Sequence, residues 1–266
     1  MQKFVGLVVA VAFSGILSAQ QKILKPLEGF FPSVKIYKKT VMDMTTNYLY
    51  LGTDFVNGFK NTTRNTIDLT GEIENQIQTA VHEGTQKTNV VVYLDSGMDQ
   101  ITPLEGELNF TLKLGEKGII KSVEGSPDII EALKANPVSG MQEGLPYGVF
   151  INTDIARNIG DSWIDSSYNQ YGIINYTFDS VVANIGYFTV NQEMDYTTKT
   201  NFSGVESEQT VVGTSNGNIQ VDLNNNLITK LFYQMELTGN LLMSEFRIPL
   251  TMRGSISDNA SLKPIN

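Results

Sequence analysis

Hydrophobic and polar residues alternate with period two along most of the chain. Val34 to Tyr37 leads into Val41 to Met44, followed by Thr66 to Leu69, Ile73 to Val81, Val90 to Leu94, Leu108 to Leu114 and Ile119 to Val123. Past the middle the pattern resumes at Ile173 to Phe178, Tyr187 to Tyr196, Thr210 to Gly213, Ile219 to Leu223, Ile228 to Leu237 and Phe246 to Met252. Successive strand side chains point to opposite faces, so alternation in β-branched and aromatic types predicts strands with one buried face. Gly and Asn between the segments predict antiparallel turns. Eleven or more such segments predict a mostly β fold, a large antiparallel curved sheet or half-barrel with one or two short helices.

The period changes in the middle. Ser126 suits an N-cap, Pro127 the first helical position and Asp128 the first turn, which predicts a helix over 126–134. Gly140 to Pro146 reads as loop and Asn152 to Ile159 as a short helical turn. Segment 110–123 (FTLKLGEKGIIKSV) also lies over 219–232 (IQVDLNNNLITKLF) without a gap. Both copies read as strand, polar turn, strand, and each closes a set of strands. Two related halves are therefore expected, at 33–135 and 160–254. A linker at 136–159 joins them, with an N-terminal segment at 20–32 and a C-terminal tail at 255–266.

Residues 1–19 depart from this alternation. Lys3 precedes an apolar or small run from Phe4 to Leu17, and Ser18-Ala19 comes before Gln20, the layout of a secretory signal peptide cleaved after Ala19. The alternative, a membrane anchor, needs about 20 apolar residues, and polar Gln20-Gln21-Lys22 ends the run first. The absence of Cys excludes lipoprotein acylation and leaves the core alone to stabilise an exported chain. No later segment is apolar and long enough to cross a membrane, so no stable insertion is expected after cleavage. Removing residues 1–19 leaves 18 basic and 28 acidic side chains, a net charge of −10. Such a chain is repelled by nucleic acid and by anionic membrane surfaces. The expected location is the periplasm or the exterior.

Candidate chemistry is sparse. His82 is the sole histidine, which with no Cys excludes Cys–His catalysis and the usual zinc sites. It reads as an exposed turn residue before Gly84. Asp222-Leu223-Asn224-Asn225-Asn226 opens like a calcium loop, but Leu227 stands where Gly is needed and Tyr233 where Glu is needed. It reads as a hairpin turn. Glu72/Glu74 and Asp95/Asp99 are carboxylate pairs of no special pattern, and neither cofactor nor metal is expected. Asp179-Ser180-Val181 fits a loose acceptor pattern for O-glycosylation.

Gly160-Asp161-Ser162-Trp163 holds the only Trp. Leu145-Pro146 precedes it, Asn175-Tyr176-Thr177-Phe178 follows, and a late hairpin runs Gly217-Asn218-Ile219-Gln220-Val221-Asp222 to Leu227-Ile228. On these motifs the chain resembles an uncharacterised family of exported proteins, mostly from Bacteroidota. Arg157 stands where that pattern has an apolar residue. The resemblance implies no activity. It implies a strand-rich layout similar to the half-barrels of periplasmic lipoprotein carriers, a fold-level analogy. Gly160 and Asp161 are expected to make a turn, with Trp163 plugging the seam between halves in preference to touching a ligand.

Three functions fit. The first is binding of a hydrophobic or lipid-like molecule in a Met-rich concavity, with Met42, Met44, Met235 and Met243 (and Met252 beside them) as candidate lining, the alternative being that these Met residues simply fill the core, and Trp163 as a further contact. The second is an envelope protein–protein interaction through strand edges or loops, without a small ligand. The third is a hydrolase using carboxylates alone. The first is expected ahead of the second, and a non-catalytic role ahead of the third.

Overall fold

A computed structural model describes residues 23–26, 33–50, 53–54, 60–74, 79–94, 97–115, 118–135, 141–166, 172–202, 205–243 and 246–264. Residues 1–22, the predicted signal peptide included, lie outside them. The strands are β1 (Val34–Tyr50), β2 (Thr53–Asp54), β3 (Lys60–Glu74), β4 (Thr79–Leu94), β5 (Gly97–Leu114) and β6 (Ile120–Gly125). After the helix α1 (Pro127–Ala135) come β7 (Ser162–Asp165), β8 (Gly172–Val182), β9 (Ile185–Phe202), β10 (Val205–Asp222), β11 (Leu227–Met243) and β12 (Phe246–Pro264). They form one antiparallel, curved, unclosed sheet in the order β6-β5-β4-β3-β1-β12-β11-β10-β9-β8-β7, with β2 paired to β1. Each half is a meander, and the seam between them is β1 against β12, from Val34↔Pro264 to Tyr48↔Leu250.

The predicted helix forms, and Ser126 Oγ accepts the Ile129 N–H at 3.4 Å. Three expectations are corrected. Ile73 to Val81 is not one strand, because β3 ends at Glu74 and β4 starts at Thr79. Asn152 to Ile159 makes no helical turn, because its backbone is used elsewhere: Arg157 and Leu24 exchange N–H···O bonds of 2.8 and 3.0 Å. Residues 255–264, set apart as a tail, continue β12, where Ile256 and Asp258 face inward opposite Met42 and Thr40. The run Ser255 to Ala260 is too poor in β-branched residues to announce a strand, and pairing with β1 supplies what propensity lacks.

The alternation sorts the two faces. On β1, Val34 and Ile36 point inward, while Lys35, Lys39 and Asp43 point outward and pair across to Glu72, Asp68 and Arg64 of β3. Inner apolar residues form three clusters, one in the first half around Phe110 and Leu112, one around Phe178 and Phe188, and one rich in Met around Met194 and Met235. Phe178 and Phe188 stack at 4.4 Å, each worth about 1.5–3 kcal/mol in burial.

The sheet is bent by a strap across one end. The β5–β6 and β10–β11 hairpins are six steps apart along an antiparallel sheet, so their turns face the same way. Between them runs the middle of the expected linker. Ile120 N–H bonds to Leu145 O (2.9 Å) and Tyr147 N–H to Gly118 O (2.8 Å). Ile228 N–H then bonds to Val149 O (2.9 Å), and Ile151 N–H to Asn226 O (3.0 Å). Flat strands at about 4.8 Å would put the two turns about 29 Å apart. The four residue steps from Tyr147 to Ile151 reach only about 14 Å, to which the flanking hydrogen bonds add a few ångströms. The arc must therefore curl toward its chord. Leu145, Tyr147, Val149, Phe150 and Ile151 are buried beneath it, Tyr147, Val149 and Phe150 in the first cluster and Ile151 in the second. Ile151→Pro removes one strap donor in a buried setting and is expected to lower the unfolding free energy by about 3 kcal/mol. Urea denaturation checks this; a variant as stable as the parent would show that the sheet keeps its curve unaided.

Candidate functional site

The bent inner face encloses a cavity of about 340 Å³, reached from both halves of the sheet. Ile67 and Leu69 of β3 and Phe110 of β5 line one side, and Tyr176 of β8, Met194 of β9 and Tyr233 of β11 the other. Ile129 and Leu133 of α1 and Phe150 of the strap cover it. The site is thus what remains when two meanders curl toward each other and their side chains do not meet. Its wall is mostly apolar, as pockets for apolar ligands are.

Two charges interrupt that wall. Lys38 and Asp258 sit at inward positions of the adjacent seam strands, with Nζ 2.7 Å from Oδ2. Their side chains are only 15% and 11% exposed. Asp258 Oδ1 and Ser215 Oγ, both buried, have no hydrogen-bond partner. Burial, and secondarily Asp258, push the Tyr233 phenol well above its usual range, so it stays protonated. Burial also raises the Tyr196 phenol. Asn65, Gln86 and Gln192 add neutral polar groups to the wall.

Below the cavity the structure corrects the reading of His82. It is 2% exposed, inside β4, and Gly84 continues the strand beyond it. The space comes from Gly71 on β3, where a Cβ would lie 2.7 Å from the His82 ring. Nε2 is 2.7 Å from Tyr147 Oη of the strap, and the ring lies against Phe110 at 4.7 Å. Burial, with Lys38 nearby as the lesser cause, drives its pKa down to about 3.

Of the expected ligand contacts, Met42 and Met235 line the cavity. Met44 packs beside it with Met252, against the Met194 cluster. Met243 is exposed at the far end of β11. Trp163 does not plug the seam, because β7 is the outer edge strand and the seam is β1–β12. The indole stacks on Tyr176 at 5.3 Å and meets Phe188 edge-on, in a cluster with Leu24 and Ile151. Arg157, the departure from the motif, lies over it at 5.1 Å and donates from Nε to Thr153 Oγ1 at 3.1 Å. The turn is as read: Gly160 has φ +92°, and Asp161 Oδ2 accepts the Asn158 N–H at 2.7 Å.

Asp222 likewise serves a turn. Its Oδ1 accepts the Asn224 N–H at 2.9 Å, and Asn226 (φ 55°) donates from Nδ2 to Lys25 O at 2.6 Å. Glu72 pairs with Lys35 at 3.2 Å. Asp99 is exposed on β5. Asp95 lies outside the described residues.

Lys38, Asp258, Tyr233 and Met194 were not singled out from the sequence. The signal was there for the first two: Lys38 stands in phase with Val34, Ile36 and Met42, and Asp258 in phase with Ile256 and Ala260.

The fold has a counterpart among solved structures. A lipovitellin chain, from a study of lipid–protein interactions in lipovitellin, superposes with a TM-score of 0.52 at 10% identity. The match covers 91% of this chain and 26% of that one, so this chain spans about a quarter of lipovitellin's length. At that identity the likeness is one of fold. An outer membrane channel from Pseudomonas putida F1 aligns over 90% of this chain and 98% of its own at 9% identity, but its TM-score of 0.27 is too low to support any conclusion. No protein-family model and no curated protein matches the chain.

The buried imidazole gives a pH test. Its folded pKa, about 3, is below the unfolded value of 6.5, so only the unfolded chain takes up this proton between the two. Stability is expected to fall as pH drops through that window, by up to about 1.4 kcal/mol per pH unit from this group. His82→Gln should remove that part of the slope; equal slopes in urea titrations of both proteins at pH 4 to 7 would contradict it.

Proposed function

We propose that this protein is exported, to the periplasm or beyond, and binds a hydrophobic or lipid-like molecule in the concave cavity without converting it. The observation that carries the reading is the cavity itself, a mostly apolar hollow of about 340 Å³ left unfilled among three buried hydrophobic clusters. Protein interiors are normally filled to crystal density, and a space of this size is what a binding pocket requires. Adaptable Met side chains at its side suit an apolar guest of variable shape. Lipovitellin's involvement with lipid is consistent with this use of the fold.

Export is supported by the pattern of residues 1–19. The motif at Gly160 to Trp163 and its resemblance to exported Bacteroidota proteins belong to the same reading. A non-catalytic role is supported by the use made of the carboxylates: Asp258, the acid on the cavity wall, is engaged by Lys38. Several outward acids, Glu72, Asp68, Glu105 and Glu236 among them, pair with cations on neighbouring strands. That outward face, crossed by ion pairs over an apolar interior, is the inverse of a lipid-exposed barrel.

A second reading, partner binding in the cell envelope, has one observation in its favour. Phe246 (74% exposed) and Met98 (69% exposed) stand bare at the ends of β12 and β5, away from the strap.

Native mass spectrometry of protein purified from its own host, followed by lipid extraction, separates the two. About one apolar molecule per chain is expected. Ile67→Trp, which projects an indole into the cavity, should cut that occupancy at least tenfold while changing stability by less than about 2 kcal/mol. A clean apo mass would overturn ligand binding in favour of a partner.

A further inference from the structure

Resting on the ligand-binding reading, we infer that the guest presents a neutral hydrogen-bond acceptor, a carbonyl oxygen, to the phenols of Tyr196 and Tyr233. Both residues line the cavity. Tyr196 stands in phase with buried Met194 on β9, and Tyr233 with buried Met235 on β11, so both point inward. Each is nevertheless only half-buried, and the surface that an inward side chain keeps open faces the hollow. Neither phenol oxygen hydrogen-bonds to a described residue, and neither is shut away as Asp258 Oδ1 and Ser215 Oγ are.

The rest of the polar wall is short of open acceptors. Lys38 and Asp258 cancel in charge but not in hydrogen bonding. Asp258 Oδ2 is taken by Lys38 at 2.7 Å and Oδ1 is sealed, which leaves the carboxylate little to offer a guest. The ammonium has three N–H donors, more than Asp258 uses. The amides of Asn65, Gln86 and Gln192 and the Thr40 hydroxyl donate and accept alike, and Thr88 already links the first two, at 3.4 Å on each side. Tyr176 is buried against Trp163. A phenol donates better than it accepts, because its lone pair is drawn into the ring. Tyr196 and Tyr233 therefore tip the open wall toward donation.

A pure hydrocarbon filling the hollow would strip water from these donors and give nothing back, which is costly. A carbonyl oxygen accepts from a phenol and brings no donor of its own. An alcohol brings a proton as well, for which the wall has fewer takers. A carboxylate also accepts, but the charge of Asp258, which helps to keep the proton on Tyr233, opposes a second negative charge there. A cation leaves the phenols unanswered and meets Lys38 at low dielectric, where like charges repel strongly. The chemical class is therefore a neutral ketone or ester of lipid character, its chain lying among Met42, Ile67, Leu69 and Met235.

The test uses 2-decanone, decanoate and decyltrimethylammonium at pH 7.5, each displacing the neutral fluorophore N-phenyl-1-naphthylamine from the purified protein. The ketone is expected to bind at least tenfold more tightly than either ion. A neutral hydrogen bond is worth about twofold to tenfold in affinity. The double variant Tyr196→Phe/Tyr233→Phe, which removes only two oxygens, should therefore weaken the ketone at least fivefold and leave fluorophore binding within twofold. Infrared spectra of carbonyl-labelled 2-decanone read the contact directly. Its C=O stretch should lie lower in the parent protein than in hexane, and move back up in the variant. Either ion matching the ketone in the parent would overturn the inference, as would a folded variant that keeps the ketone's affinity or its stretch. Were the variant unable to fold, a stretch in the parent at the hexane position would overturn it alone. Any of these results in a protein that still holds the fluorophore sinks the carbonyl assignment only; failure to hold the fluorophore or any of the three compounds sinks the ligand-binding reading with it.

Discussion

Everything inside this molecule follows from a chord shorter than its arc. Two hairpin turns that a flat sheet would keep about 29 Å apart are tied to strap residues only four steps from one another. The backbone hydrogen bonds that make the tie are buried, and buried backbone groups do not go unpaired without cost. The curvature is thus enforced by the most obligatory bonds a chain makes, and the side chains have to fit the hollow that results. At the strapped end they do: Tyr147, Phe150 and Ile151 come down from the strap and meet Phe110, Leu227 and Trp163.

Between the strap and the Met-rich cluster the side chains of the two walls leave a cavity. The molecule forgoes dispersion contacts there, and long strands make that tolerable. β1, β9, β10 and β12 each run 17 to 19 residues, so continuous ladders hold the backbone where the interior does not. The least typical core residues, Lys38, Asp258 and Ser215, line this cavity.

The fold class was legible because the period-two signal is strong wherever the inner face is packed. Strand lengths were not. β5 contains Asp99, Glu105, Gly106 and Glu107, and β10 the run Thr214 to Asn218, with little apolar alternation to announce them. They are strands because register with their neighbours makes them so, a tertiary effect that overrides local propensity. The helix was legible because Ser126-Pro127-Asp128 is a local signal with local causes. His82 was misread because Glu83-Gly84 looks like a turn from one strand alone; the vacancy that admits the ring is Gly71, on the strand next door. Of the cavity, Met42 and Met235 could be named from composition. The ion pair required noticing a cation and an acid in phase with buried neighbours, more than 200 positions apart in the chain.

That separation has a consequence for how the chain comes to be folded. β3 follows β1 closely in the chain, yet the other edge of β1 belongs to β12, whose residues follow 202 to 230 positions later. Until synthesis delivers the last strand, a 17-residue template stands open in the middle of the eventual sheet. Pairing across such a distance is slow, because the loop must close before any contact rewards it, and an open edge will pair with whatever strand arrives first. Lys35, Lys39 and Asp43 space charges along the outward face of that waiting edge, the kind of residue that discourages a wrong partner without obstructing the right one.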